Sequence, residues 1–216
     1  MSAAPRIALI HALAHSVAPI AAAFAADWPQ ARLANLLDDS LSADLARVGA
    51  LTPAMTGRFL TLSRYAVSCG ADAILFTCSA FGPCIEACAA ELAPLPVLKP
   101  NEAMIEAALA AAKGGRIGLV ASFAPTLATM PAEFGGAGVV PVLAEGAMAA
   151  LDAGDGAAHD RLAAAAARRL TGCAVIALAQ FSLARAGDAV AAATGLPVLT
   201  TPQSAVAKLR RLLAGG

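Results

Sequence analysis

The residues best suited to chemistry lie in the segment ILFTCSAFG at 74–82, where the thiol of Cys78 sits among small residues and hydroxyls just ahead of a helix opened by Pro83. Proline suits a first helical position because the N–H it lacks would be unpaired there anyway. Unpaired amides and the helix dipole at such a start favour negative charge, so they can lower a cysteine's pKa or cradle a carboxylate. Cys78 and Ser79 thus outline a thiolate-plus-anion site; an inert buried cysteine at a strand end is the alternative this pattern leaves open. A second hydroxyl-rich turn, ASFAPT at 121–126, offers Ser122 and Thr126 as carboxylate donors, or as ordinary caps and turn residues. Gln180, at the end of another apolar run, can bond a substrate carboxylate or carbonyl. His11 can donate a proton, contact an anion, or be a satisfied structural histidine. Asp39, in LLDDSL at 36–41, can meet an ammonium or hydroxyl group, or cap a helix.

These residues need elements to position them. Short runs rich in Val, Ile and Leu alternate with alanine-rich segments of helical length, and the runs lack the apolar/polar alternation of a half-exposed strand. They read as strands buried on both faces, the pattern of a parallel sheet in an α/β fold. Strands are expected near 6–11, 32–37, 72–77, 96–98, 116–121, 139–143, 173–178 and 197–199, with helices between them, among them 52–69, 83–92, 101–113, 159–170 and 203–213.

Three landmarks recur in the same order: RIALIHA at Arg6 and RIGLVAS at Arg116, ADAILFTCSAF at Ala71 and GCAVIALAQFS at Gly172, LPVLKP at Leu95 and LPVLTTP at Leu196. The offsets are 116 − 6 = 110 for the arginines, 181 − 81 = 100 for Phe81 and Phe181, and 197 − 96 = 101 for the prolines. A period this long means paired half-domains rather than a solenoid. The expected lobes are 1–100 and 101–216, the end at 201–216 packing back on the first. Ligands in open α/β sheets bind outside the carboxyl ends of the strands, so a site in the cleft between the lobes is expected.

Composition narrows the partners. Fifteen basic and 15 acidic side chains cancel, which leaves no electrostatic footprint for phosphate backbones or anionic lipid. The mean hydropathy of +0.70 comes mostly from alanine. The most apolar stretch, Ala12 to Ala26, contains His15, Ser16 and Pro19 and is shorter than the roughly 18–20 residues that cross a bilayer. The start of the chain superficially resembles an export signal. Its core RIALIH recurs inside the chain, where no signal can be, so a cytoplasmic protein is expected, without nucleic-acid or membrane partners. Five cysteines argue against a disulfide framework. Cys84 and Cys88 could clamp a metal only with two further ligands, and no matching pair is near, so they read as buried structural thiols. His11 and His15 would share a face only if RIALIH were helical. No metal or cofactor is expected.

TCSAF after a buried strand, ASFAPT after the first strand of the second half, and the repeat over nearly the whole chain resemble the aspartate/glutamate racemase superfamily. That group includes glutamate, aspartate and hydantoin racemases, maleate cis-trans isomerase and arylmalonate decarboxylase. The resemblance implies two similar parallel-sheet lobes related by a pseudo-twofold axis, cofactor-independent chemistry on small carboxylates in the cleft between them, and a homodimer. In such racemases each lobe contributes one cysteine, and the two thiols act on opposite faces of the α-carbon. The first falls on Cys78. Aligning Phe81 with Phe181 puts Leu178 at the second, and Ala80 opposite Gln180. Racemisation needs an acid and a base on both faces, and leucine supplies neither. One thiol suits single-face chemistry: protonation of an enediolate after decarboxylation, or addition to an activated double bond. The expected function is therefore a racemase- or isomerase-type enzyme acting beside the carboxylate of a small acid through Cys78, with Ser79, Ser122 and Thr126 holding the carboxylate. The alternatives are a decarboxylase of a malonate-type acid and a non-catalytic carboxylate-binding protein.

Overall fold

The computed structural model describes residues 4–214. Its eight strands are β1 (Arg6–His11), β2 (Arg32–Leu37), β3 (Ala73–Phe76), β4 (Val97–Leu98), β5 (Arg116–Ala121), β6 (Val139–Leu143), β7 (Cys173–Leu178) and β8 (Val198–Thr200). They form two parallel sheets of the same topology, β2-β1-β3-β4 and β6-β5-β7-β8, with helices as the crossovers. One compact unit runs to Glu102 and takes in the chain from Ala205; the other is Ala103–Ser204.

The apolar runs become strands for the reason parallel sheets require. All of β3 is buried, as are all residues of β1 and β5 after their opening arginines, because helices cover both faces. The edge strands β2 and β6 are only partly buried, and β2 accordingly tolerates Asn35 within RLANLL. Helices begin where short polar side chains can take their unpaired amides: Thr52 accepts from the Met55 N–H at 3.2 Å, and Asp155 from the Ala158 N–H at 2.8 Å. Pro83 lies in the first turn of the helix Gly82–Leu92.

In the first unit an aromatic cluster brackets Cys78. Phe59 stacks on Phe76 with ring centroids 5.2 Å apart and meets Phe81 at 4.8 Å, which ties the end of β3 and the turn after it to the helix Pro53–Ser68. That helix also meets Gly82–Leu92 along a polar seam. The Thr56 hydroxyl lies 3.4 Å from the Cys84 sulfur, and Arg64 grips Glu91 at 2.7 and 2.8 Å. Cys84 and Cys88 are fully buried in this seam.

In the second unit the core is built more from alanine, with Ala163, Ala167 and Ala186 fully buried. Close packing explains why RIGLVA carries Gly118 where RIALIH carries Ala8. A Cβ on Gly118 would meet Ile176 Cδ1 at 2.7 Å and Leu170 Cδ1 at 2.8 Å. Gly118→Val should cost about 1–3 kcal/mol by overpacking, seen as a lower urea midpoint at unchanged slope; wild-type stability would show that the sheet yields freely there.

Candidate active site

In each sheet the chain leaves the first strand to one side and returns to the other. The switch therefore falls between β1 and β3 in the first unit and between β5 and β7 in the second, where open α/β sheets leave a crevice at the strand carboxyl ends. His11 closes β1, and Thr77 and Cys78 follow β3. Ser122 follows β5, and Gln180 follows β7.

Cys78 is extended (φ −127°, ψ 118°) and leads into a short 3-10 helix, Ser79–Phe81. The residue is half-buried, and Ile10, His11, Ala12, Leu41, Phe59 and Phe76 close around it without leaving room for a water molecule. Burial pushes the Cys78 thiol up from its ordinary value; the Ala80 N–H and the Ser42 hydroxyl pull it down without cancelling that. Of the states the sequence left open, burial thus favours the protonated thiol over the thiolate. The helix start is present, but the apolar wall around the sulfur outweighs it. A protonated Cys78 is an acid rather than a standing thiolate. Ser79 opens the 3-10 helix and is exposed.

His11 is fully buried with both ring nitrogens engaged, Nδ1 2.8 Å from the Thr77 hydroxyl and Nε2 3.0 Å from Asn35 Oδ1. Because Asn35 Oδ1 can only accept, Nε2 carries the hydrogen and Nδ1 accepts from Thr77. His11 thereby ties three adjacent strand ends together, a tie that involves Asn35 and Thr77, which the sequence did not single out. Asp39 is exposed at the start of the helix Ser40–Val48, and its side chain makes no cap bond. Its neighbour Asp38 accepts from Ser40 and from Arg58, both at 2.6 Å, and Arg58 also reaches Asp44 at 2.7 Å. Burial alone would raise the Asp38 carboxyl, but Ser40 and Arg58 together hold it below the usual range.

In the second unit three of the expected residues meet directly. Gln180 Oε1 accepts from the Ser122 N–H at 3.0 Å, and Gln180 Nε2 donates to the Thr126 hydroxyl oxygen at 2.9 Å. Thr126 keeps its own hydrogen for another acceptor, and the Ser122 hydroxyl is buried without a partner.

Sheet register corrects the pairing of the two halves. Ile10 pairs with Phe76 in the first sheet and Val120 with Leu178 in the second. The next bonds match as well, Thr77 N–H to the Ile10 carbonyl at 3.0 Å and Ala179 N–H to the Val120 carbonyl at 2.9 Å. The counterpart of Cys78 is therefore Gln180, not Leu178. Both residues are extended and both precede a 3-10 helix. The alignment on Phe81 and Phe181 slips by two residues because those helices differ in length: Phe81 ends one, and Phe181 begins the other. The mirrored position thus holds an amide, which bonds carboxylates but transfers no proton.

The segment GDGAAHD at 154–160 opens the helix Gly156–Ala167 and carries a charged network. Asp160 accepts from His159 Nδ1 at 2.8 Å and from Arg185 at 2.9 and 3.2 Å, and the guanidinium lies so close over Gly156 that no Cβ fits. Arg185 comes from the segment after β7, so this network fastens that segment to the helix Gly156–Ala167.

With the architecture and strand-end geometry described, comparison with solved structures is informative. Over 98% of this chain and 88% of the other, the fold matches an allantoin racemase from Klebsiella pneumoniae with a TM-score of 0.73 at 22% identity. A glutamate racemase from Bacillus anthracis matches with a TM-score of 0.72 at 12% identity, over 99% of this chain and 83% of that one. A glycine-to-cysteine mutant of arylmalonate decarboxylase in its sulfate-associated form matches with a TM-score of 0.65 at 20% identity, over 98% and 94%. The chain thus shares its fold with these racemases and the decarboxylase. Neither a family model nor a curated protein matches the chain. Among the described residues no helix is long and apolar enough to cross a membrane.

The buried neutral imidazole of His11 makes stability pH-dependent. Burial is the larger influence and lowers its pKa from 6.5, the Asn35 bond opposing it. A folded value below the unfolded one means that stability is fully present above about pH 6.5 and declines as the pH falls from there through the folded value. The urea midpoint of the wild type should therefore fall more between pH 7.5 and 5.5 than that of His11→Gln; parallel profiles would remove His11 from this role.

Proposed function

We propose that the chain is a cofactor-independent enzyme of the racemase-superfamily type, acting at the carbon next to the carboxylate of a small acid through Cys78 as its single thiol. The observation that carries this reading is the pair of mirrored strand ends, with Cys78 after β3 and Gln180 after β7. Cys78 acts as proton donor or acceptor. Ser79, Ser122, Thr126 and Gln180 hold the carboxylate and stabilise charge that develops on its oxygens. His11 holds the strand end next to the thiol, and Asp39 is available to a polar substituent.

A thiol held protonated favours one form of this chemistry. When a malonate-type acid loses carbon dioxide, the electron pair of the broken C–C bond passes into an enediolate. The Cys78 S–H then gives its proton to the carbon, and water returns a proton to sulfur. Proton exchange at a single α-carbon face needs the same group and the same anion hold. The structural relatives include racemases and a decarboxylase, in keeping with either outcome.

Incubation with a panel of amino, hydroxy and malonic acids in deuterium oxide separates the outcomes: α-deuteration without loss of carbon marks racemase- or isomerase-type exchange, and carbon dioxide release marks decarboxylation. Cys78→Ala should lower turnover by about 10²-fold or more, and undiminished activity would reject the assignment. Gln180→Ala should raise KM about tenfold through the loss of hydrogen bonds to a charged group; an unchanged KM would exclude Gln180 from carboxylate binding. Tight binding of an acid without turnover by the wild type would instead identify a carboxylate-binding protein.

A further inference from the structure

An acid comes within reach of Cys78 beside Ile10, His11, Ala12, Leu41, Phe59 and Phe76 only if one of these walls moves, because together they leave no room even for water. The walls are not held alike. Ile10, His11 and Phe76 belong to paired strands, and Ala12 directly follows β1. Phe59 is stacked on Phe76 and Phe81 from a helix of 16 residues. Leu41 comes from Ser40–Val48, a helix of nine residues whose buried residue is Leu41 itself. So short a helix has little stability of its own and depends on packing. Its apolar packing is Leu41, with Leu45 partly buried beside it.

The rest of what holds this helix is polar, and most of it converges on one residue. Arg58, on the helix Pro53–Ser68, donates from one guanidinium nitrogen to Asp38 and to Ser40, each at 2.6 Å, and from the other to Asp44 at 2.7 Å. It thereby grips the turn before the helix and a point one turn inside it. Ser42 adds a bond to the Ala12 carbonyl at 2.9 Å. The Arg58, Asp38 and Asp44 side chains are 33%, 26% and 36% exposed, so water can replace each partner at small net cost. Gly49 ends the helix in the left-handed region (φ 76°), where glycine turns without strain, and so provides a hinge on the far side.

We propose that the helix Ser40–Val48 is a hinged cover over Cys78, latched by Arg58, and that the thiol meets its acid when the latch releases and Leu41 withdraws. This rests on Cys78 being the reactive group, as argued above. Elements that move in function are drawn from the least stable parts of a fold, and among these walls the one with few buried apolar contacts and exposed polar ones is this helix. The covered form keeps the sulfur dry between turnovers. The uncovered form admits the acid, which shifts the balance to the extent that it binds that form in preference to the other. Release breaks hydrogen bonds and ion pairs but no covalent bond, and no proton changes place.

The test is alkylation of the intact chain by iodoacetamide at fixed pH, followed peptide by peptide by mass spectrometry. Arg58→Met removes the latch, and Cys78 should then react about tenfold faster, while Cys84 and Cys88, fully buried in the seam between Pro53–Ser68 and Gly82–Leu92, keep their wild-type rates. Loss of a positive charge can only hinder ionisation of a thiol, so acceleration reports uncovering rather than a more reactive sulfur. Arg58→Lys, which keeps the charge but not the fork, should fall between the two and serves if the methionine variant does not fold. Amide hydrogen exchange should quicken over 40–48 and not over 53–68. A wild-type rate at Cys78 in a folded latch variant overturns the proposal, and so does equal acceleration of Cys78, Cys84 and Cys88, which would place the barrier in unfolding of the whole unit. The readout needs no substrate, so it is decided apart from the turnover of Cys78→Ala, which judges the functional reading itself.

Discussion

Parallel pairing of β1 with β3, with Ile10 opposite Phe76, leaves no freedom in where the two strands end. It sets His11 beside Thr77 and delivers Cys78 at the carboxyl edge of the sheet, with the Phe59 cluster closing in from the adjoining helix. The chemistry argued for Cys78 follows from that placement. A sulfur carried to the end of a buried strand is partly desolvated and stays protonated, and the groups that can stabilise its anion must come from neighbouring loops. A one-residue slip between these strands would turn the thiol to the other face of the sheet.

The same geometry is repeated in the second unit with a different outcome. Val120 and Leu178 pair as Ile10 and Phe76 do, but the strand end then carries Gln180, whose amide spans the Ser122 N–H and the Thr126 hydroxyl. The duplication has thus diverged into one strand end with an ionisable group and one with hydrogen-bonding groups only. Proton transfer and anion binding are separable tasks, and under the proposed function they fall to different halves.

The strands were legible because a parallel sheet buried on both faces demands uninterrupted apolar runs, and RIALIH, AILF, RIGLVA and CAVIAL have almost no other reading. Ser122, Thr126 and Gln180 were legible as strand-end polar residues, although their mutual bonds were not. What the sequence hid depends on approach from elsewhere in the chain. Ser42 is 30 residues after Ala12 (42 − 12), and nothing in SLSADL marks it as the serine that donates to the Ala12 carbonyl just past β1. Asn35 resembles any polar residue on an edge strand until His11 is seen to need an acceptor. The direction of the Cys78 shift was hidden for the same reason, since a helix start is visible locally whereas the apolar wall built by Leu41 and Phe59 is not.

The central claim is that an organic acid reaches the Cys78 sulfur, and a crystal structure of the protein with malonate bound addresses it most directly. The account predicts a carbon of the acid at a near-attack distance of about 3–3.5 Å from the Cys78 sulfur. Malonate bound away from Cys78, with the sulfur still closed off by Ile10, Leu41 and Phe59, would contradict it and leave the protein with the racemase fold but not this chemistry.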